Sequence, residues 1–179
     1  MNIPNLLSLF RLVLVPVFAI VFFHPHPNAH YWAVAIYTLA FLTDIADGWI
    51  ARHFHQITRL GRVLDPLADK LMTFTVIICI AAAQIIPMWA VAVFFLKEAA
   101  MGIGALTLYR RAADIISANW LGKASTGVFF VVCAALVLFP NIPRHWATAL
   151  ISFALLLTVA AFIGYLLQYL AFMGKGPGQ

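Results

Sequence analysis

Residues 42–72 read LTDIADGWIARHFHQITRLGRVLDPLADKLM, and they decide how the rest of the chain is interpreted. Four of the chain's six acidic residues lie here as two pairs, Asp44 with Asp47 and Asp65 with Asp69. Spacings of three and four residues put both carboxylates of a pair on one face of a helix. The stretch therefore predicts two helices with acidic faces, joined by a segment that contains arginine.

The composition is that of a membrane protein. Of the 179 residues, 64% are hydrophobic and 9% are charged, whereas a soluble domain has about 25% charged residues. We predict an all-α integral membrane fold with six transmembrane helices, a short interfacial helix at the N-terminus, one domain over residues 1–173 and a flexible tail at 174–179. The predicted spans are about residues 6–24, 31–53, 61–85, 88–109, 118–139 and 145–172.

Basic residues predict the orientation of these spans. One side of the membrane would carry seven of them and the other side only Arg144. The seven are Arg52, Arg59, Arg62, Arg110, Arg111, Lys123 and Lys175. Because loops rich in Lys and Arg stay in the cytoplasm, both termini and the four aspartates are expected to face the cytoplasm of a cell membrane. The basic residues are scattered along the chain, which argues against nucleic acid as a partner.

Four carboxylates in or near a bilayer need compensation, since each costs on the order of 2.5–3.5 kcal/mol to insert. Three explanations are compatible with the residues. The acids could pair with cations in a hydrated interface, or relay ions or protons as a divalent-cation transporter would. They could instead hold two Mg²⁺ or Mn²⁺ ions on which a diphosphate is cleaved, because these metals prefer carboxylate oxygens and phosphates. The cations proposed for pairing are Arg52, Arg59, Arg62 and Lys70.

The pattern Asp44-x-x-Asp47-Gly48-x-x-Ala51-Arg52, then eight residues, then Gly61-x-x-x-Asp65-x-x-x-Asp69 resembles the complete signature of the CDP-alcohol phosphotransferase family. The opening NIPNLLSLFRL, the DPLADK segment and NWLGK at 119–123 are similar to its phosphatidylglycerophosphate synthase branch. The resemblance covers most of the chain. It implies a homodimer with six spans that uses CDP-diacylglycerol and, as acceptor, sn-glycerol 3-phosphate.

The resemblance also implies roles for individual residues. Asp44, Asp47, Asp65 and Asp69 would ligate metal, and Asp69 would also be the general base. The CDP moiety would be bound by Asp44, Asp47, Gly48, Ala51, Arg52, Gly61 and Asp65. The small side chains would let the nucleotide approach the backbone, and the guanidinium of Arg52 would hold the diphosphate.

The acceptor pocket is less closely specified. A phosphorylated acceptor needs cations, for which the candidates are Lys123, Arg111, Arg62, Arg110 and Arg11. Arg11 lies in an apolar helix, where an unpaired charge is costly, so it needs either a buried partner or a phosphate. Lys97-Glu98 stands where the similar enzymes have Arg-Glu, and lysine lacks the bidentate fork of arginine. Phosphatidylglycerol, inositol phosphate and serine therefore remain alternative acceptors.

Overall fold

The computed structural model describes residues 3–53, 61–110 and 120–174, and all regular structure in these ranges is helical. The described part contains six helices, α1 (Ile3–Phe22), α2 (Ala29–His53), α3 (Gly61–Ala82), α4 (Met88–Arg110), α5 (Trp120–Leu138) and α6 (Arg144–Gly174). Their bounds agree with the predicted spans to within about three residues, a normal uncertainty for helix ends.

The beginning of the chain differs from the prediction. Residues 3–22 form one continuous helix, so no separate short helix precedes the first long one within the described residues. Pro4 lies in the first turn, where a missing N–H costs no hydrogen bond. Pro16 lies inside α1 and is also accommodated without a break. Asn5 and Ser8 therefore belong to α1 itself.

The contacts divide the chain into two compact units. The first comprises residues 1–85 and 133–142, and the second comprises 86–132 and 143–179. Both are formed by helices from distant parts of the sequence, and α5 contributes residues to each. The expected single domain remains a prediction, and residues 175–179 of the expected tail lie outside the described residues.

In the first unit α1 packs against both α2 and α3. Its buried stripe runs through positions 5, 8, 11, 14, 18 and 22, a helical spacing of three and four residues. The second half of the stripe is apolar, and the Phe18 ring lies 6.1 Å from that of Tyr37 on α2. The first half is polar and consists of Asn5, Ser8 and Arg11. A single helix face thus supplies both a core and a polar site.

The buried faces of α2 and α3, like that of α1, each have an apolar part and a polar part. On α2 the buried alanines at 29, 33 and 40 precede the buried Asp47. On α3, Asp65 precedes the buried apolar residues Ala68, Met72, Val76 and Ile80. Since α1 packs against both helices, its polar half meets their acidic ends.

In the second unit α4 packs against α6. The rings of Phe94 on α4 and Phe129 on α5 stack at 5.3 Å, and Tyr165 of α6 lies against Gly122 of α5. The charged pair Lys97–Glu98 is nearly buried on α4, with the Lys97 ammonium 5.6 Å from the centre of the Phe94 ring. The Glu98 carboxylate and the face of the Phe94 ring together offset the cost of burying the Lys97 charge.

Three of the helices in the described part are long and apolar enough to cross a membrane, namely Asn5–Phe22, Ala29–Ile50 and Arg144–Leu167. A shorter apolar helix covers Gly122–Leu138. These helices are those of a multi-pass membrane protein. Charged residues lower the apolar character of α3, which contains Arg62, Asp65, Asp69 and Lys70.

Candidate active site

Arg11 of α1 joins the first acidic pair. Its Nη1 donates to Oδ1 of Asp44 at 2.5 Å, and its Nη2 donates to Oδ2 of Asp47. Asp44 and Asp47 are three residues apart on α2, so one planar guanidinium reaches both. The Arg11 side chain is 1% exposed, the Asp47 side chain 3% and the Asp44 side chain 38%. The pair therefore has a buried member and a member that solvent or a ligand can reach.

Ser8 connects α1 to the second acidic pair. Its hydroxyl donates a hydrogen bond to Oδ1 of Asp65, a residue 57 positions later in the chain. Ser8 is completely buried. Asp44 and Asp65 both interact electrostatically with Asp47, so the three carboxylates share one site at the polar half of α1.

Asp69 lies one turn further along α3, about 6 Å from Asp65 along the helix axis. Its backbone carbonyl accepts a hydrogen bond from Thr73 Oγ1 at 3.0 Å. Its carboxylate interacts electrostatically with Tyr37, which is buried on α2. Asp69 thus extends the acidic face of α3 by one turn beyond Asp65.

The four acids suit a hard divalent cation because all of them offer carboxylate oxygens. Asp44 and Asp47 already bind a positive group, the Arg11 guanidinium, and Asp65 interacts electrostatically with Asp47. Within the described ranges, no three acidic, histidine or cysteine side chains are grouped closely enough to hold a metal ion. The ligand chemistry fits a metal, while one carboxylate oxygen of Asp44 and one of Asp47 accept hydrogen bonds from Arg11.

The residues predicted to bind CDP lie at the adjoining helix ends. Gly48, Ala51 and Arg52 are on the last turns of α2, and Gly61 is the buried first residue of α3. The side chains of Ala51 and Arg52 are outside the described part. Their helical positions continue the acidic end of α2 toward its C-terminus.

The candidates for the acceptor phosphate are spread over the molecule. Arg11 lies in the acidic site and pairs with two aspartates. Lys123 is exposed on α5 in the second unit. Arg62 is the second residue of α3 and Arg110 the last of α4, and neither side chain is described. Arg111 falls outside the described residues.

Two residues of the site were missed by sequence reasoning, namely Ser8 and Tyr37. Ser8 had a detectable signal, because it lies three residues before Arg11 and three after Asn5 in an otherwise apolar helix. That spacing places three polar groups on one face. Tyr37 had no such signal, since the residues three and four positions away on its helix face (33, 34, 40 and 41) are all apolar.

The comparisons with known proteins identify the family of this chain. The family model for CDP-alcohol phosphatidyltransferase matches residues 1–167. The chain belongs to the CDP-alcohol phosphatidyltransferase family. The match includes all four aspartates together with Ser8 and Arg11.

Individual relatives add detail. The chain is 34% identical over 171 residues to the CDP-diacylglycerol–glycerol-3-phosphate 3-phosphatidyltransferase of Salmonella paratyphi A, an alignment that covers 92% of this chain and 93% of the relative. It is 32% identical over 154 residues to the Bacillus subtilis protein of that name, covering 79% of each. It is also 35% identical over 129 residues to a CMP-forming cardiolipin synthase of Streptomyces coelicolor, covering 70% of this chain and 60% of the relative.

Proposed function

We propose that this protein transfers the phosphatidyl group of CDP-diacylglycerol to sn-glycerol 3-phosphate and releases CMP. One observation carries the proposal. The chain aligns over nearly its full length with a relative named for that reaction. In support of it, Asp44, Asp47 and Asp65 accept hydrogen bonds from the polar face of α1. The relatives' names supply the substrates, and the site supplies acids suited to the chemistry.

The reaction needs a general base and residues that bind the diphosphate. The acceptor oxygen forms the new bond to phosphorus, the phosphorus–oxygen bond to CMP breaks, and Asp69 takes the hydroxyl proton. We assign Asp69 this role because the family signature that this chain resembles implies it; its carboxylate also interacts electrostatically with the buried Tyr37. Arg52 holds the diphosphate oxygens, and Gly48, Ala51 and Gly61 leave room for the nucleotide.

Asp44, Asp47, Asp65 and Asp69 would hold Mg²⁺ or Mn²⁺, two ions in this proposal, which when bound would neutralise charge on the diphosphate. The acceptor phosphate would meet Lys123, Arg62, Arg110, Arg111 or Arg11. The proposal also includes six spans, a homodimer in a cell membrane, and an active site and termini that face the cytoplasm.

The test uses the purified protein with Mn²⁺, labelled CDP-diacylglycerol and glycerol 3-phosphate. We expect CMP release, and a loss of about a hundredfold or more in rate for Asp69→Asn, because an amide cannot accept the proton. Asp114→Asn is the matched control, since Asp114 lies outside the signature and the same change there should leave the rate intact. An Asp69→Asn enzyme as active as the unaltered protein would contradict the role of Asp69.

A second acceptor has specific support, because a relative with 35% identity is named a cardiolipin synthase. That enzyme class uses phosphatidylglycerol. The acceptor can be identified by giving the enzyme a mixture of glycerol 3-phosphate, phosphatidylglycerol, inositol phosphate and serine. Mass spectrometry of the product lipids then shows which of them was used. Metal flux into liposomes without CMP release would instead favour the divalent-cation transporter.

A further inference from the structure

Arg11 is among the most thoroughly buried charged side chains of the described residues, at 1% exposure. Two of its nitrogens contact Asp44 and Asp47, and its Nε has no hydrogen-bond partner among the described residues. A buried N–H without a partner costs free energy. Among the described residues, the guanidinium is therefore held by its two carboxylates, and its Nε–H stays without a hydrogen bond.

Arg11 binds the same carboxylates that would ligate a metal ion. Oδ1 of Asp44 and Oδ2 of Asp47 each accept a hydrogen bond from the guanidinium. A divalent cation at these oxygens would lie close to a fixed positive charge, and like charges repel strongly where water is scarce. The two cations therefore compete for one pair of acids.

We propose that Arg11 is an internal counter-ion that a divalent cation must displace from Asp44 and Asp47, so that Arg11 sets the affinity of the metal site. This inference rests on the metal site of the proposed function. It gives Arg11 a role in controlling metal binding, so Arg11 is no longer a candidate for binding the acceptor phosphate.

A purely structural salt bridge predicts a different behaviour. If Arg11 only oriented the two carboxylates for the metal, removing it would weaken metal binding. If it competes, removing its charge frees the carboxylates and tightens metal binding. The sign of the change in affinity separates the two roles, and it is independent of any change in overall stability.

The experiment measures Mn²⁺ binding to the purified full chain without substrates, from the electron paramagnetic resonance signal of free Mn²⁺. If the acids are free of the guanidinium about one-tenth of the time, Arg11→Gln should bind Mn²⁺ about tenfold more tightly. Its thermal midpoint should be lower in EDTA than that of the unaltered chain, and Mn²⁺ should raise it by more. Arg144→Gln, the same change at an exposed site, should behave as the unaltered chain.

Arg11→Lys provides a second measurement should Arg11→Gln fail to fold. A lysine keeps the charge but cannot bridge both carboxylates with a planar fork. We expect Mn²⁺ binding tighter than in the unaltered chain. Unchanged or weaker Mn²⁺ binding by the folded variants would overturn the inference while leaving CMP release, and so the proposed function, untouched. If the unaltered chain and Arg144→Gln bind no Mn²⁺, the metal site of the proposed function is itself wrong, and the inference fails with it.

Discussion

Ser8 illustrates how much a small polar side chain contributes at the scale of single residues. Its hydroxyl is fully buried and donates to Asp65, so it orients a carboxylate that α3 alone would leave free to rotate. Arg11 acts similarly on α2, with a full charge instead of a dipole. The site therefore depends on residues of α1 that belong to no part of the acidic signature.

We predict that Ser8→Ala lowers the turnover of CDP-diacylglycerol about tenfold, which corresponds to about 1.4 kcal/mol of transition-state stabilisation. The reason is that Asp65 loses a hydrogen bond to its charged form, an interaction worth about 1.5–3 kcal/mol. Steady-state CMP release measures the effect.

Ser125→Ala is the matched control for Ser8→Ala. Ser125 is also buried, but its hydroxyl donates within its own helix to the carbonyl of Gly122 at 2.9 Å. The control should keep its turnover. Equal losses in the two variants would mean that burial of a serine, and not the contact with Asp65, is what matters.

At the scale of elements, α5 shows why two glycines of one helix are not equivalent. A Cβ added to Gly122 would lie 2.4 Å from the hydroxyl oxygen of Tyr165 on α6. Among the residues that the structure describes, a Cβ added to Gly127 would have no neighbouring atom within 4 Å. The missing side chain at 122 thus lets α6 place an aromatic residue against α5, while the glycine at 127 serves no such contact.

Gly122→Ala should lower stability by about 1 kcal/mol or less, because the end of the Tyr165 side chain must move while alanine favours the helix. Gly127→Ala, the control, should raise it by about 0.5–1 kcal/mol because alanine loses less conformational freedom in a helix. Thermal unfolding in detergent compares the two. Adding Tyr165→Phe to Gly122→Ala should recover part of the loss, and strict additivity of the two changes would contradict the proposed clash.

At the scale of the whole molecule, the described residues form two compact units, and the acidic site belongs entirely to the first. Exposed Lys123 belongs to the second. The three helices that build the site come from the first half of the chain. This organisation fits a family whose signature occupies one contiguous stretch of sequence.

The predicted orientation can be tested by labelling introduced cysteines with a membrane-impermeant maleimide. Asn141, in the turn between α5 and α6, is expected outside the cell, and Gln179 inside. Asn141→Cys should react in intact cells, and Gln179→Cys only after permeabilisation. Cys79 and Cys133 are both buried, so the unaltered chain is the background control. Labelling of Gln179→Cys in intact cells would contradict the orientation.

The amino-acid sequence alone was enough to predict the helices and the acidic pairs. Runs of apolar residues broken by proline and polar clusters define each helix, so the predicted bounds match α1 to α6 closely. The spacing within each acidic pair is local, and helix geometry places both members on one face whatever else the chain does. Family membership followed from the same local pattern.

Only the tertiary structure decided which residues meet those acids. Arg11 and Asp44 are 33 residues apart, and Ser8 and Asp65 are 57 apart. Such contacts depend on how α1 is rotated against α2 and α3, which is determined by the packing of its whole buried stripe. From the sequence, Arg11 was predicted to need either a phosphate or a buried partner. The structure shows that its partners are two aspartates.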